Sequence, residues 1–261
     1  VLPLILSAFL VAAAALRLSG GRRDHLRSGL DLVNDLMTGI VHFALVLAPF
    51  AVPALIYSVI IKIGWDIVIA LGLFVVSCVF VMLVHLFGTM SIWARFLARR
   101  PLREFWREMR PVLVTAFSTS SGAATLAAAL AVARDQLKLQ PSVAGFVLPL
   151  GTTMNMAGTA LYEGCVVLFV AQVFGVDLGM GQQLTLLFLA VLSAVAVAAI
   201  PGGSLPLIAG LLATCGIPPE GIGIILGVDR ILDMTRTMVN VGSDVVTATV
   251  VDRYTRLADP T

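Results

Sequence analysis

Residues 67–90 contain no Asp, Glu, Lys or Arg. A helix of roughly 20 mostly apolar residues crosses the hydrocarbon core of a bilayer, so this stretch is a candidate span. Segments 1–16 (expected to be cut short), 36–61, 143–173 and 221–251 qualify as spans or nearly so, the last two with ionisable residues inside them. Composition agrees: 59% of the residues are hydrophobic, 12% are charged and mean hydropathy is +1.01. A soluble domain carries about 25% charged residues, and so few cannot coat a water-facing surface around this much apolar chain. A soluble helical protein with an unusually apolar core is the alternative. The net charge of +2 implies no nucleic acid or other polyanion as partner. Cys78, Cys165 and Cys215 are scattered through apolar runs without metal-like spacing and read as packed thiols. The chain opens at Val1 inside an apolar run, with no Met or basic stretch before it, so a fragment lacking its N-terminus is expected.

Two further apolar stretches do not read as simple spans. Segment 111–139 is interrupted by Thr119-Ser120-Ser121-Gly122, and 183–215 by Pro201-Gly202-Gly203-Ser204. Each is expected to form two half-length helices meeting at a small polar tip. Non-helical backbone at membrane depth survives only inside protein or beside a water-filled cavity, so two re-entrant hairpins suggest a solute path.

Charge placement tests this layout. Arg17, Arg22, Arg23 and Arg27 lie in the first loop, and Arg95, Arg99, Arg100, Arg103, Arg107 and Arg110 before the first hairpin. Arg134 and Lys138 follow that hairpin; Arg253 and Arg256 follow the last span. If both hairpins return to their own side, all of these share one face, and Lys62, Asp66, Asp177 and Glu220 fall on the other. The positive-inside rule makes the basic face, with the C-terminus, cytoplasmic. Segment 93–110 interleaves Trp93, Phe96, Phe105 and Trp106 with arginines; it reads as an interfacial helix or as a solvated basic loop.

The chemistry concentrates in two places. In the last span Asp229, Asp233, Thr237, Asn240 and Asp244 follow one another at three or four residues, forming one polar stripe with Arg236 on its flank. Each intramembrane charge costs at least about 2.5–3.5 kcal/mol on insertion scales, which points to a function, although an internal ion-pair ladder is the competing reading. Within 143–173, Gly151-Thr-Thr-Met-Asn-Met-Ala-Gly-Thr159 is rich in poor helix formers. An unwound stretch there would offer carbonyl oxygens and Asn155 to a hard cation; a glycine-packed helix crossing is the alternative. Broken helices at the membrane midplane are a general design of secondary transporters.

These motifs resemble the dicarboxylate/amino acid:cation symporters, the family of the glutamate transporters. The family's NMDGT signature appears as Asn155-Met-Ala-Gly-Thr159, and its serine-rich first tip as Thr119-Ser-Ser-Gly122. The second tip appears as Ile200-Pro-Gly-Gly203, and the last-helix motif as Asp233-Met-Thr-Arg-Thr-Met-Val-Asn240 with Asp244. The likeness covers essentially the whole chain in order and implies that the family's first three spans and part of the fourth are absent.

The resemblance implies a set of roles. Asp233 would hold a substrate amino group and Arg236 its distal carboxylate, as a bidentate fork. Thr159, Thr237 and Asn240, with the tips Ser120, Ser121, Gly122 and Pro201, Gly202, would bind the remaining oxygens. Gly151, Asn155, Asn240 and Asp244 would form one cation site, and Thr153 with carbonyls of the second tip another. Glu163 matches a position where some members carry a proton. Two departures stand out: Ala157 replaces the Asp of NMDGT, which leaves a further sodium site and the stoichiometry open, and Ser204 stands where some members have glycine.

The expected fold is an all-α integral membrane protein, a multi-span transporter core with two re-entrant hairpins and an unwound transmembrane helix. Residues 1–63 are expected to be a partial scaffold that by resemblance assembles as a homotrimer, 64–252 a transport domain, and 253–261 a cytoplasmic tail. The expected function is symport of acidic amino acids or C4-dicarboxylates with sodium and/or protons by alternating access, in the plasma (bacterial inner) membrane. No organic cofactor is expected. An intramembrane hydrolase is disfavoured: His25 lies in a cytoplasmic loop, His42 and His85 sit in spans that carry no other catalytic group, and no GxSxG occurs. A passive anion channel and a non-transporting fragment remain as rivals.

Overall fold

The computed structural model describes residues 2–33, 36, 39, 46, 53, 54, 57, 61, 66–197, 203–218 and 221–258. Most of the expected span 36–61, together with Lys62, Pro201, Gly202 and Glu220, lies outside the described residues. Among the described residues all regular structure is helical. The chain divides into two units, residues 1–54 and 55–261. The first contains α1 (Leu2–Ala15) and, after a short turn, α2 (residues 20–33).

The second unit opens with α3 (Asp66–Leu97), which is long and apolar enough to cross a membrane. One face, with Ile67, Leu71, Phe74, Cys78 and Met82, is buried; the opposite stripe of Ile69, Leu73, Val76 and Phe80 is about two-thirds exposed. A helix apolar on both faces belongs in an apolar surrounding. Two π-helical turns, His85–Thr89 and Trp93–Leu97, sit in its second half, where Leu86, Met90 and Ala94 continue the buried face.

After Pro101, α4 (Leu102–Thr119) runs straight through Pro111. The first hairpin arm therefore begins at Leu102 rather than at Pro111, and the aromatic-basic segment is shared between the end of α3 and the start of α4. The amphipathic first turns explain this: Phe105 and Met109 are buried while Arg103, Arg107 and Arg110 face outward. That burial outweighs the lost donor and the clash of an interior proline. Ser120 then turns the chain in left-handed conformation, φ 51°, and Ser121 caps α5 (Gly122–Asp135) by accepting from Ala124 N at 3.2 Å.

Helices α6 (Pro141–Met154) and α7 (Ala157–Val173) are separated by the non-helical pair Asn155–Met156. Together they form the second described segment with the length and apolarity of a span. Helices α8 (Met180–Ala194) and α9 (Leu205–Thr214) flank the second tip. A one-turn helix, α10 (Ile222–Ile225), precedes α11 (Asp229–Ala258). The expected tail is thus helical as far as Ala258, and Asp229 lies at a helix start, where backbone N–H groups favour a carboxylate.

Helix α11 is the hub, packed against α3, α4, α5, α6 and α7. Apolar lipid removes most of the hydrophobic drive between helices, so close approach at small residues matters more. A Cβ on Gly158 of α7 would stand 2.5 Å from the backbone oxygen of Arg236, and one on Gly242 would stand 2.6 Å from Leu86 Cδ1. The first obstacle is backbone and the second is the end of a mobile side chain. Overpacking costs about 1–3 kcal/mol, and Gly158→Ala is expected to lower the thermal midpoint more than Gly242→Ala. The reverse order in a thermal-unfolding comparison would mean that the α7–α11 separation is adjustable.

Candidate functional site

The polar positions of α11 fall on one buried face: Asp229, Asp233, Arg236, Thr237, Asn240 and Asp244 are all enclosed. Arg236 and Asp233, three residues apart, form a salt bridge with Nη2 to Oδ1 at 2.8 Å and Nε to Oδ1 at 2.9 Å; neither side chain is more than 4% exposed. A buried guanidinium needs such partners. Its Nη1 donates to the hydroxyl of Ser204, and its plane lies over the Tyr162 ring, 5.1 Å from the centroid. Tyr162 in turn donates from its hydroxyl to Asp229 Oδ1 at 2.5 Å. The chain Asp229–Tyr162–Arg236–Asp233 therefore ties the start of α11 to α7.

Asn240 works across the helix break. Helix α7 starts at Ala157, and its N-cap residue Met156 makes no side-chain cap hydrogen bond. Asn240 Oδ1 takes that place, accepting from Gly158 N at 2.7 Å and Thr159 N at 3.2 Å. Its Nδ2 donates to Thr159 Oγ1 at 3.1 Å and contacts Met156 Sδ at 3.2 Å. One amide thus satisfies N–H groups that every helix start leaves open. Four residues on, Asp244 Oδ1 accepts from Asn155 Nδ2 at 2.9 Å, while Oδ2 is buried without a hydrogen bond. Gly151 makes room for it: a Cβ there would lie 2.6 Å from Asp244 Oδ1.

Ser120, Gly122, Thr159, Asp233, Arg236, Thr237, Asn240 and Asp244 line one cavity of about 20 Å³. That is room for a water or a bare ion, not for an amino acid. Ser120 Oγ is buried there without a hydrogen bond. Thr119 Oγ1 knits the tip, accepting from Ser121 N at 3.2 Å and meeting Thr125 Oγ1 at 3.3 Å.

Other expected residues stand apart from the cavity. Ser121 caps α5. Thr153 is exposed and donates to Leu150 O at 2.9 Å, whereas its neighbour Thr152 is buried and lines the cavity. Gly151 and Asn155 reach the site through Asp244. Glu163 is fully buried on α7, facing Ser193 of α8, and neither oxygen makes a hydrogen bond. Pro201 and Gly202 lie outside the described residues. Sequence reasoning passed over Tyr162, Thr152, Met156 and Ser204 as contributors. For Tyr162 a signal existed, since it lies three residues after Thr159 and so shares its face.

A helical membrane protein with a buried ion pair, a broken helix and a polar cavity on one central helix defines the class. The chain belongs to the sodium:dicarboxylate symporter family, whose sequence model it matches over residues 1–254. It is 33% identical over 228 residues to the proton/sodium-glutamate symport protein of Bacillus subtilis (strain 168), covering 87% of this chain and 53% of that protein. It is 31% identical over 227 residues to excitatory amino acid transporter 3 of Homo sapiens, covering 87% of this chain and 43% of that one. With the putative sodium-dependent excitatory amino acid transporter glt-4 of Caenorhabditis elegans the identity is 35% over 180 residues, 69% of this chain and 36% of the relative. The chain thus spans about half the length of the relatives it matches, or less.

Replacing Asn240 separates its two duties. Asn240→Ala orphans the Gly158 and Thr159 N–H groups and is expected to cost about 1–2 kcal/mol, the usual loss of a helix cap. Asn240→Asp keeps the acceptor and should retain more of the thermal stability. Equal midpoints for the two variants would show that the amide oxygen does not hold the break.

Proposed function

We propose that the protein is the core of a secondary active symporter that carries acidic amino acids, in preference to C4-dicarboxylates, across the plasma membrane. The observation that carries this reading is the buried Arg236–Asp233 pair beside a polar cavity. Arg236 is always charged and suits the distal carboxylate of the solute; Asp233 suits its ammonium and disfavours a second anion. In the described arrangement Asp233 and the Ser204 hydroxyl occupy the guanidinium, so they act as internal stand-ins that an entering carboxylate displaces. The name of the Bacillus subtilis relative, a proton/sodium-glutamate symport protein, supports an acidic amino acid.

Coupling to sodium or protons draws support from the same relatives. Asp244 is the strongest protein-side candidate for a cation, because its Oδ2 is buried beside the cavity with no hydrogen bond. Asn155, Asn240 and the broken backbone between α6 and α7 would complete an oxygen-rich site. Thr153 would join a second cation site only after rotating inward from its exposed position. Glu163 is the candidate proton carrier, a buried carboxylate on α7 with neither oxygen hydrogen-bonded. Ala157 brings no carboxylate to the signature motif, which leaves more of the coupling to these groups.

In this reading 64–252 moves as one transport domain, with α4–α5 and α8–α9 as re-entrant hairpins and the second tip as the outer gate. Residues 1–63 belong to a static scaffold in a homotrimer. The basic ends of α3, α5 and α11 lie on the cytoplasmic side. Their mutual contacts support a common side: Arg100 donates to Leu137 O at 2.6 Å and Arg256 to Lys138 O at 2.7 Å.

Two substitutions test the assignments. Breaking a buried pair destabilises by roughly 3–5 kcal/mol, so the readout for Arg236→Cys is the ratio of neutral to acidic amino acid uptake in proteoliposomes. That ratio is expected to rise at least tenfold; an unchanged ratio would remove Arg236 from the carboxylate subsite. Glu163→Gln is expected to abolish the pH dependence of net uptake while exchange of internal for external solute continues. Acidification that drives uptake equally in this variant and the parent would make Glu163 structural.

A further inference from the structure

Away from the solute site, three separate pieces of chain converge at the basic end of the second unit. Here the end of α3, the turn after α5 and the last turns of α11 enclose a cavity of about 390 Å³. Four basic residues line it, Arg100, Lys138, Arg253 and Arg256, against one acidic residue, Asp252. Asp252 is already committed: its Oδ1 accepts from Gln140 N at 2.7 Å and its Oδ2 from Arg256 Nε at 2.8 Å. The arginines hold the walls through backbone carbonyls. Arg100 Nη2 reaches Leu137 O, Arg253 Nη1 reaches Leu97 O at 2.5 Å, and Arg256 Nη2 reaches Lys138 O. Each guanidinium has five N–H donors, so every one of them keeps donors in reserve.

The backbone adds an independent observation. Lys138 sits at φ 54°, in the left-handed region that glycine adopts readily, two residues past the Gln136 C-cap of α5. The turn closes by Leu137 N to Val132 O at 3.0 Å and Leu139 N to Ala133 O at 2.9 Å. A lysine there is strained where glycine would not be, and Lys138 is among the residues that line the cavity. Trp93, Phe96 and Tyr254 are exposed on the neighbouring turns of α3 and α11. Exposed aromatic side chains beside arginines mark the headgroup level of a membrane.

We propose that this cavity binds the phosphate of an anionic phospholipid headgroup, with the acyl chains lying along the apolar face of α3. The size suits a phosphoglycerol group, and the excess of cations suits a phosphodiester. An anchor here ties α3, α5 and α11 together from outside the solute path. The proposal requires only that the protein resides in a membrane and does not depend on which solute it carries.

Thermal unfolding and lipid retention in native mass spectrometry test it, with phosphatidylglycerol, phosphatidylcholine and inorganic phosphate as probes. Phosphatidylglycerol is expected to be retained and to raise the midpoint, whereas phosphatidylcholine and millimolar phosphate do neither. Lys138→Gly suits the backbone it replaces, so it should keep or raise the lipid-free midpoint while weakening phosphatidylglycerol retention about fivefold, as expected for one basic residue near an anionic headgroup. Arg253→Gln should weaken it similarly. Equal retention by the parent and both variants would overturn the site. Stabilisation by inorganic phosphate that matches the lipid, and is lost in Lys138→Gly, would overturn the lipid as the source of the phosphate.

Discussion

A guanidinium enclosed on a central membrane helix cannot shed its charge, and the rest of the structure is arranged around that constraint. Arg236 is held by Asp233 one turn earlier, capped by Ser204 from the second tip and overlain by Tyr162 from α7. Tyr162 is fixed by Asp229, whose carboxylate sits at the first turn of α11. Ser204 and Tyr162 come from other stretches of chain than the two aspartates, so satisfying one buried cation brings α7, α9 and α11 together. In the proposed reading the same arrangement would make the site switchable, because a carboxylate is a better partner for a guanidinium than a serine hydroxyl.

The second organising element is the break between α6 and α7. A helix interrupted inside an apolar protein leaves donors and acceptors that must be met locally. Asn240 meets two of the donors, and Gly158 lets α11 come close enough for it to do so. Asn155, on the break itself, holds one oxygen of Asp244 and leaves the other bare. In the proposed reading, the side chains that repair the break are also those that would hold the cation. A substitution made to probe ion coupling at Asn240 will also disturb the fold, and stability has to be measured beside transport.

Much of this geometry was legible in the chain. Carboxylates and amides at three- and four-residue spacing can only share one face of a helix, and in α11 they do. Glycine, threonine and asparagine between residues 151 and 159 disfavour a continuous helix, and the pair Asn155–Met156 is non-helical. Other features depend on details that periodicity does not carry. Pro111 reads as a helix start, yet burial of Phe105 and Met109 carries α4 back to Leu102. The choice of Thr152 over Thr153 for the cavity turns on helix phase next to a break. Ser204 matters through a long-range contact with Arg236, which no local pattern announces. The convergence of Arg100, Lys138, Arg253 and Arg256 is tertiary in the same sense: the sequence shows their common sign, not their common cavity.

The central claim is that Asp233 and Arg236 divide an acidic amino acid between them, ammonium to one and distal carboxylate to the other. It is tested most directly by displacing labelled L-aspartate from the purified protein with unlabelled L-aspartate and with succinate, which keeps both carboxylates and lacks the amine. The account predicts that succinate displaces the label at least a hundredfold more weakly than aspartate, the scale on which a site built for a hydrogen-bonding group rejects an analogue without it being at least about that large. Displacement by succinate at the same concentration as aspartate would contradict it, and would mean that Asp233 serves only as the internal partner of Arg236.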